Sequence, residues 1–134
     1  MKIILINYAD LYYKNIVQTS KLIKIIGKFV QIRHNNAEYL IFSPREFAKY
    51  HADIVKRFCR DRGIDGVYND QLKRFDIHDP SWNIVGGGKF EMDQEKDILR
   101  LYDNSMAYGR FNASGLKEKI LSSKEMSGYS IEIA

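Results

Sequence analysis

The chain has 134 residues and a mass of 15.7 kDa; 45% of its residues are hydrophobic and 28% are charged. This composition is typical of one soluble globular domain and excludes a disordered chain. The formal net charge of +4 suits a protein that handles an anion, but a generic basic surface explains it equally well. The single cysteine, Cys59, excludes an internal disulfide, so we expect a reducing compartment, the cytoplasm. Asp65 stands where a cysteine phosphatase would need arginine, which excludes that class of enzyme.

The first part of the chain predicts strands around one ambiguous segment. Residues 2–8 indicate a short strand, whose apolar run is too short for a signal peptide or a membrane span. Apolar residues between Leu11 and Ile26 follow a helical period that Gly27 would end. Alternation then predicts strands over 28–33 and 39–42, with a turn between them at Asn35 and Asn36.

The segment from Ser43 to Gly63 predicts a well-framed helix. Ser43 and Glu46 have the spacing of a capping box, and Pro44 suits the first helical position. Gly63 supplies the left-handed residue that commonly follows a helix. We therefore predict a helix that begins just after Ser43 and ends at Gly63.

One histidine of this helix lies on its apolar face. His51 falls between Phe47 and Ile54 at helical spacing, so its side chain should point toward the rest of the protein. Asp53 faces elsewhere and is expected to pair with Lys49 and Arg57, so it forms no catalytic dyad with His51. From spacing alone, His51 is either a core residue with a satisfied hydrogen bond or a functional group.

The second half of the chain predicts more strands and one more helix. A strand is expected around Leu72 to Ile77. Three glycines, 86–88, indicate a sharp turn that could bring backbone amides close to a ligand, or a plain turn between two strands. A helix that begins at Asn112 or Ser114 would pack through Leu116, Ile120 and Leu121. Further strands are predicted over 82–85, 89–92, 97–102 and 129–133. The predicted fold is α+β, with a mixed β-sheet of about five or six strands flanked by two or three helices.

Three short motifs occur in order along the chain: Tyr50-His51-Ala52-Asp53-Ile54, Gly86-Gly87-Gly88-Lys89 and Ser105-Met106-Ala107-Tyr108-Gly109. Together they resemble the signatures of the 14 kDa phosphohistidine phosphatases, the family that also contains the Janus proteins. The resemblance runs from about Lys28 to the C-terminus. It implies a single domain over 1–134, a phosphohistidine-phosphatase-like fold and an insertion at 63–80.

The resemblance also implies roles for individual residues. His51 would be catalytic, as a general base that activates water or as a nucleophile that attacks phosphorus directly. The phosphoryl group would be bound by Lys28, Lys89, Gly88, Ser105, Met106 and Ala107. Lys89 stands where arginine is common in the family, which keeps the charge but loses bidentate geometry. Ser43 stands where the mammalian members have an arginine.

The expected activity is metal-independent hydrolysis of the N–P bond of phosphohistidine, with phospholysine as a further substrate. The substrate would be a phosphohistidine-containing protein or a small phosphoramidate. The alternative is a non-catalytic Janus-like module that binds a phosphorylated or acidic partner. No motif supports nucleic-acid or membrane binding, no carboxylate cluster suggests a metal, and no cofactor is implied. We expect a monomer.

Overall fold

The computed structural model describes residues 1–11 and 24–134; for residues 10 and 11 it describes the backbone only. Its elements are, in chain order, β1 (Lys2–Asn7), α1 (Tyr8–Leu11), β2 (Lys24–His34), β3 (Ala37–Pro44), α2 (His51–Arg62), β4 (Gly66–Asn69), β5 (Arg74–Ile77), β6 (Trp82–Asp93), β7 (Ile98–Tyr102), α3 (Leu116–Leu121) and β8 (Ser130–Ile133). None of the described helices is long and apolar enough to cross a membrane.

Six strands form one mixed sheet in the order β1-β3-β2-β6-β7-β8. The inner neighbours pair antiparallel, whereas β1 joins β3 and β8 joins β7 in parallel. Strands β4 and β5 form a separate antiparallel hairpin. The predicted α+β fold with a mixed sheet is therefore confirmed.

The sheet has a hydrophobic core on each face. Successive residues of a strand point to opposite faces, so Phe29 and its neighbour Val30 enter different cores. One core includes Phe29, Phe42, Phe90, Leu101, Leu116 and Ile120, and therefore the packing face of α3. The other includes Val30, Ile32, Ile41, Ile54, Val55 and Phe58, and therefore the apolar face of α2. The long inner strands β2 and β6 thus contribute side chains to both cores.

The predicted start of the second helix was wrong. Ser43 pairs with Lys28 in the ladder between β2 and β3 and is only 1% exposed, so this segment is the end of a strand. The helix begins at His51, where the Asp53 carboxylate accepts a hydrogen bond of 2.9 Å from the backbone amide of Tyr50. The predicted end at Gly63 is confirmed by its left-handed conformation, with φ of 67°.

The expected glycine turn was also wrong. Residues 86–88 lie inside β6, a single strand that merges the two strands predicted on either side. A register shift of the ladder between Gln31 and Ile32 bends this strand locally, because Gly86 faces Gln31 while Ile84 already faces Ile32. The three glycines therefore do not form a turn; they leave room for groups that approach β6 closely.

Other predicted boundaries shift by a few residues. The strand expected around Leu72 is confirmed only over Arg74–Ile77, and its partner β4 was not predicted. Helix α3 begins at Leu116, because Asn112 accepts the amide of Ser114 in a local turn and Gly115 takes the cap position.

The remaining features are the segment before β2 and the one cysteine. The helix predicted from Leu11 onward falls mainly on residues 12–23, outside the described residues. Its expected end at Ile26 was wrong, since β2 already begins at Lys24. Cys59 is fully buried in α2, and desolvation raises the pKa of its thiol to about 11.

Candidate functional site

His51 is the first residue of α2 and is only 7% exposed. Its Nε2 atom lies 2.9 Å from the backbone carbonyl oxygen of Gly88 in β6. A carbonyl only accepts hydrogen bonds, so Nε2 carries the hydrogen and donates it. In the neutral imidazole the lone pair is then on Nδ1, the nitrogen left for chemistry.

The glycines of β6 make room for this imidazole. A Cβ atom added at Gly87 would lie 2.7 Å from His51 Cδ2 and 3.2 Å from Nε2, closer than packed atoms allow. The Cδ2–Nε2 edge of the ring therefore rests on the strand, and Nδ1 belongs to the edge that faces away from it. The glycine motif thus positions the histidine.

The surroundings of His51 keep its imidazole neutral. Burial is the largest cause that lowers the pKa of His51 below its ordinary value of 6.5, and the charges of Lys28 and Lys89 lower it further. The hydrogen bond to Gly88 and the charge of Asp103 act in the opposite direction. The net direction is downward, so the basic form predominates at neutral pH.

The loop between β7 and α3 contains Ser105, which is buried. Its amide and carbonyl form reciprocal backbone bonds of 3.1 and 2.8 Å with Gly109, and its hydroxyl accepts the amide of Tyr108 at 3.1 Å. The Ser105 amide therefore already donates a hydrogen bond within the loop. The amides of Met106 and Ala107 have no acceptor in the described part of the chain, which leaves them free to bind an anion.

This loop is fixed to the sheet at several points. Gly87 donates to Gly109 at 3.0 Å, and Phe111 donates to Gly87 at 3.2 Å. The buried Gln31 side chain bonds both backbone groups of Asn112, at 2.7 Å to its amide and 3.2 Å to its carbonyl. The loop and His51 thus share one support, the β2–β6 pair.

One cleft of about 480 Å³ brings most of the expected site residues together. It is lined by Lys28, His51, Lys89, Ser105, Met106 and Ala107, and also by Tyr50, Gln71, Leu72, Lys73, Asp103 and Asn104. Gly88 contributes its carbonyl to His51 rather than lining the cleft. Lys28 and Lys89 face each other across the β2–β6 ladder.

Several residues of the site were not anticipated from the sequence. Asp103 forms an ion pair of 3.1 Å with Lys89, and the hydrogen bond from Lys89 is the main cause that lowers the pKa of this carboxyl. Asp103 has a left-handed backbone, with φ of 66°, and no pattern in the sequence indicates this conformation. Arg45 joins Lys28, Lys89 and Tyr102 around a smaller neighbouring cavity of about 170 Å³. Within the described residues, no group of three or more His, Cys, Asp or Glu side chains could hold a metal ion.

Comparison with known proteins gives one clear result. The chain matches a family model described as the Janus/Ocnus family (Ocnus) over residues 17–129. No curated protein matches the chain. The matched segment spans most of the chain and contains His51, the β6 glycines and the Ser105 loop, and on this basis the chain belongs to the Janus/Ocnus family.

Proposed function

We propose that this protein is a metal-independent phosphohistidine phosphatase, with His51 as general base and phospholysine as a further substrate. The observation that carries the proposal is the hydrogen bond from His51 Nε2 to the Gly88 carbonyl. This bond holds the ring in one orientation and leaves the lone pair on Nδ1. His51 lines a cleft that also contains lysine side chains, which suit an anionic substrate.

In the proposed step, Nδ1 of His51 accepts a proton from water while the water oxygen bonds to phosphorus. The N–P bond breaks, and its electron pair stays on the nitrogen of the leaving imidazole. The His51 imidazolium then returns its proton to that nitrogen. The products are inorganic phosphate and the unmodified histidine of the substrate, so atoms and charge balance.

Charge that develops on the phosphoryl oxygens needs nearby donors. Lys28 and Lys89 supply two ammonium groups beside His51, and both are close enough to affect its pKa. The free amides of Met106 and Ala107 supply neutral donors from the loop. A neutral imidazole among these cations supports base catalysis, because a protonated His51 could not accept the proton of water.

A covalent route uses the same atom. Nδ1 could attack phosphorus directly, which would transfer the phosphoryl group to His51 before water releases it. Rapid acid-free quenching with a radiolabelled substrate distinguishes the two routes. A labelled protein that His51→Gln does not form would support the covalent route, and its absence during steady turnover would support the general base.

The second candidate function is a non-catalytic module that binds a phosphorylated or acidic partner. Asp103 is the observation that favours it, because its carboxylate lines the cleft and already pairs with Lys89. This pair reduces the positive charge available to hold a transferring phosphoryl group, although binding of a partner could still displace it.

Phosphate release tests the two candidates. A phosphohistidine peptide and phospholysine are incubated without metal with wild type, His51→Ala, His51→Gln and the control His78→Ala. Histidine 78 follows β5 and does not line the cleft. Glutamine can still donate toward Gly88 but offers no base.

We expect wild type and His78→Ala to release phosphate and both His51 variants to lose at least about 100-fold in kcat/KM. Circular dichroism checks that the variants are folded. Equal release by wild type and the His51 variants would show that another residue is catalytic. No release by wild type, together with tight binding of a phosphohistidine analogue, would support the binding module.

A further inference from the structure

The turn of the β4–β5 hairpin forms part of the wall of the His51 cleft. Gln71, Leu72 and Lys73 line the cleft from this turn, while Met106 lines it from the loop after β7. The segment that was expected only as an insertion therefore contributes a quarter of the residues around the site.

Two of these residues expose unusually large apolar surfaces. Four large hydrophobic side chains are exposed among the described residues: Met1, Val67, Leu72 and Met106. Leu72 is 55% exposed and Met106 is 103% exposed, and both line the same cleft. Exposed apolar side chains that line one cavity indicate a binding surface, whereas scattered ones need no explanation.

The turn presents Leu72 in a defined position. The Leu72 amide donates to the Asn69 side chain at 3.0 Å, and Lys73 has a left-handed backbone with φ of 49°. Both strands that flank the turn are also held. In β4, the Tyr68 hydroxyl donates a hydrogen bond of 3.1 Å to the Asp53 carboxylate. In β5, the Phe75 amide donates one of 2.7 Å to the Tyr108 hydroxyl. A turn whose backbone is held in this way loses little backbone conformational entropy when a ligand binds beside Leu72.

The cleft is also larger than a phosphorylated imidazole requires. Its volume of about 480 Å³ lies in the range of roughly 300–1,000 Å³ that holds drug-sized ligands. Its three lysines, Lys28, Lys73 and Lys89, outnumber the single carboxylate, Asp103, which complements a phosphoryl dianion. Leu72 and Met106 line this cleft with exposed apolar side chains, which suit an aliphatic side chain next to the phosphorylated residue.

We propose that Leu72, with Met106, forms a subsite that selects a polypeptide in which an aliphatic residue is adjacent to phosphohistidine. This inference rests on the proposed function for its reaction, but the subsite can be tested by binding alone. It assigns the β4–β5 hairpin a role in substrate specificity.

The test compares two phosphohistidine peptides that differ only in a leucine or a serine beside the phosphorylated residue. The measured quantity is the ratio of their kcat/KM values in wild type, Leu72→Ser and Val67→Ser. Val67 is a close control, because it lies on the same hairpin, is 54% exposed and does not line the cleft. Free phosphoramidate tests hydrolysis by wild type independently.

We expect wild type and Val67→Ser to prefer the leucine peptide by about five-fold, and Leu72→Ser to lose most of this preference. A wild-type ratio near one, or an equal loss in both variants, would overturn the inference. If wild type hydrolyses neither peptide nor phosphoramidate, the proposed function fails. The same comparison is then made by fluorescence anisotropy with non-hydrolysable triazole analogues of both peptides. The same ratios would support the subsite, and equal affinities would overturn it.

Discussion

The state of the His51 imidazole decides what chemistry the cleft can perform. The bond to Gly88 fixes the tautomer, and burial lowers the pKa, so a neutral ring with a lone pair on Nδ1 is the predominant form at pH 7. A buried histidine with one satisfied nitrogen is common in protein cores. What distinguishes His51 is that it shares its cleft with two lysines and with Met106 and Ala107, whose amides have no acceptor among the described residues.

The pKa of His51 should respond in opposite directions to two neighbouring charges. Lys28 lowers this pKa and Asp103 raises it, so Lys28→Ala should move the pKa up and Asp103→Asn should move it down. Titration of the His51 ring protons by NMR, assigned with His51→Gln, measures both shifts. Wild type should titrate below 6.5. Shifts of the same sign in both variants would contradict this account of the site.

The low pKa has a consequence for activity and for stability. The acidic limb of kcat/KM should follow the folded-state pKa and therefore lie below pH 6.5, with the base form active above it. The unfolded chain has the higher pKa and binds more protons in this window, so stability should fall as pH decreases through it. His51→Gln should remove this part of the pH dependence.

At the scale of elements, the β4–β5 hairpin links the two parts of the site. Tyr68 in β4 donates to Asp53, whose other oxygen accepts the Tyr50 amide at the start of α2. In β5, both backbone groups of Phe75 bond the hydroxyl of Tyr108, from the Ser105 loop. Burial raises the pKa of this phenol, so it stays protonated and able to donate.

Removal of the Tyr108 hydroxyl should therefore loosen the loop. Tyr108→Phe loses bonds of 2.7 and 2.8 Å and should lower the free energy of unfolding by about 2 kcal/mol. It should also raise KM for a phosphohistidine peptide several-fold, because the loop amides are less well positioned. Tyr39→Phe is the control, since the Tyr39 hydroxyl has no hydrogen-bond partner among the described residues. Loss of stability with unchanged KM would show that the hairpin does not affect the loop.

Elements with local signals were predicted well, and those that depend on distant partners were not. Gly63 ends α2 through its own backbone conformation, so sequence reasoning found it. Ser43 carries a helix-capping pattern, but pairing with Lys28 in the sheet outweighs this local preference. Gly87 is needed because His51 approaches from another element, a contact that no local pattern shows. The expected site residues came from motif resemblance, whereas Asp103 and Tyr108 became visible as partners only in the fold.

At the scale of the whole molecule, the buried Glu38 joins the sheet to α3. This carboxylate in β3 has no exposed surface and pairs with Arg33 in β2 and with Lys119 in α3, the latter at 3.4 Å. Both cations remain 29% exposed, so each can reach water while the carboxylate cannot. The cost of breaking this group should therefore depend on which partner is removed.

Arg33→Ala should cost about 3 kcal/mol in the free energy of unfolding, because it leaves a buried carboxylate with only the longer contact to Lys119. Urea unfolding followed by circular dichroism measures this cost. Arg100→Ala is the matched control: its pair with Glu91 spans 3.7 Å between side chains that are 45% and 32% exposed. Water screens such a pair, so its loss should change stability by less than about 1 kcal/mol. Equal costs for the two variants would mean that Glu38 finds other partners when Arg33 is removed.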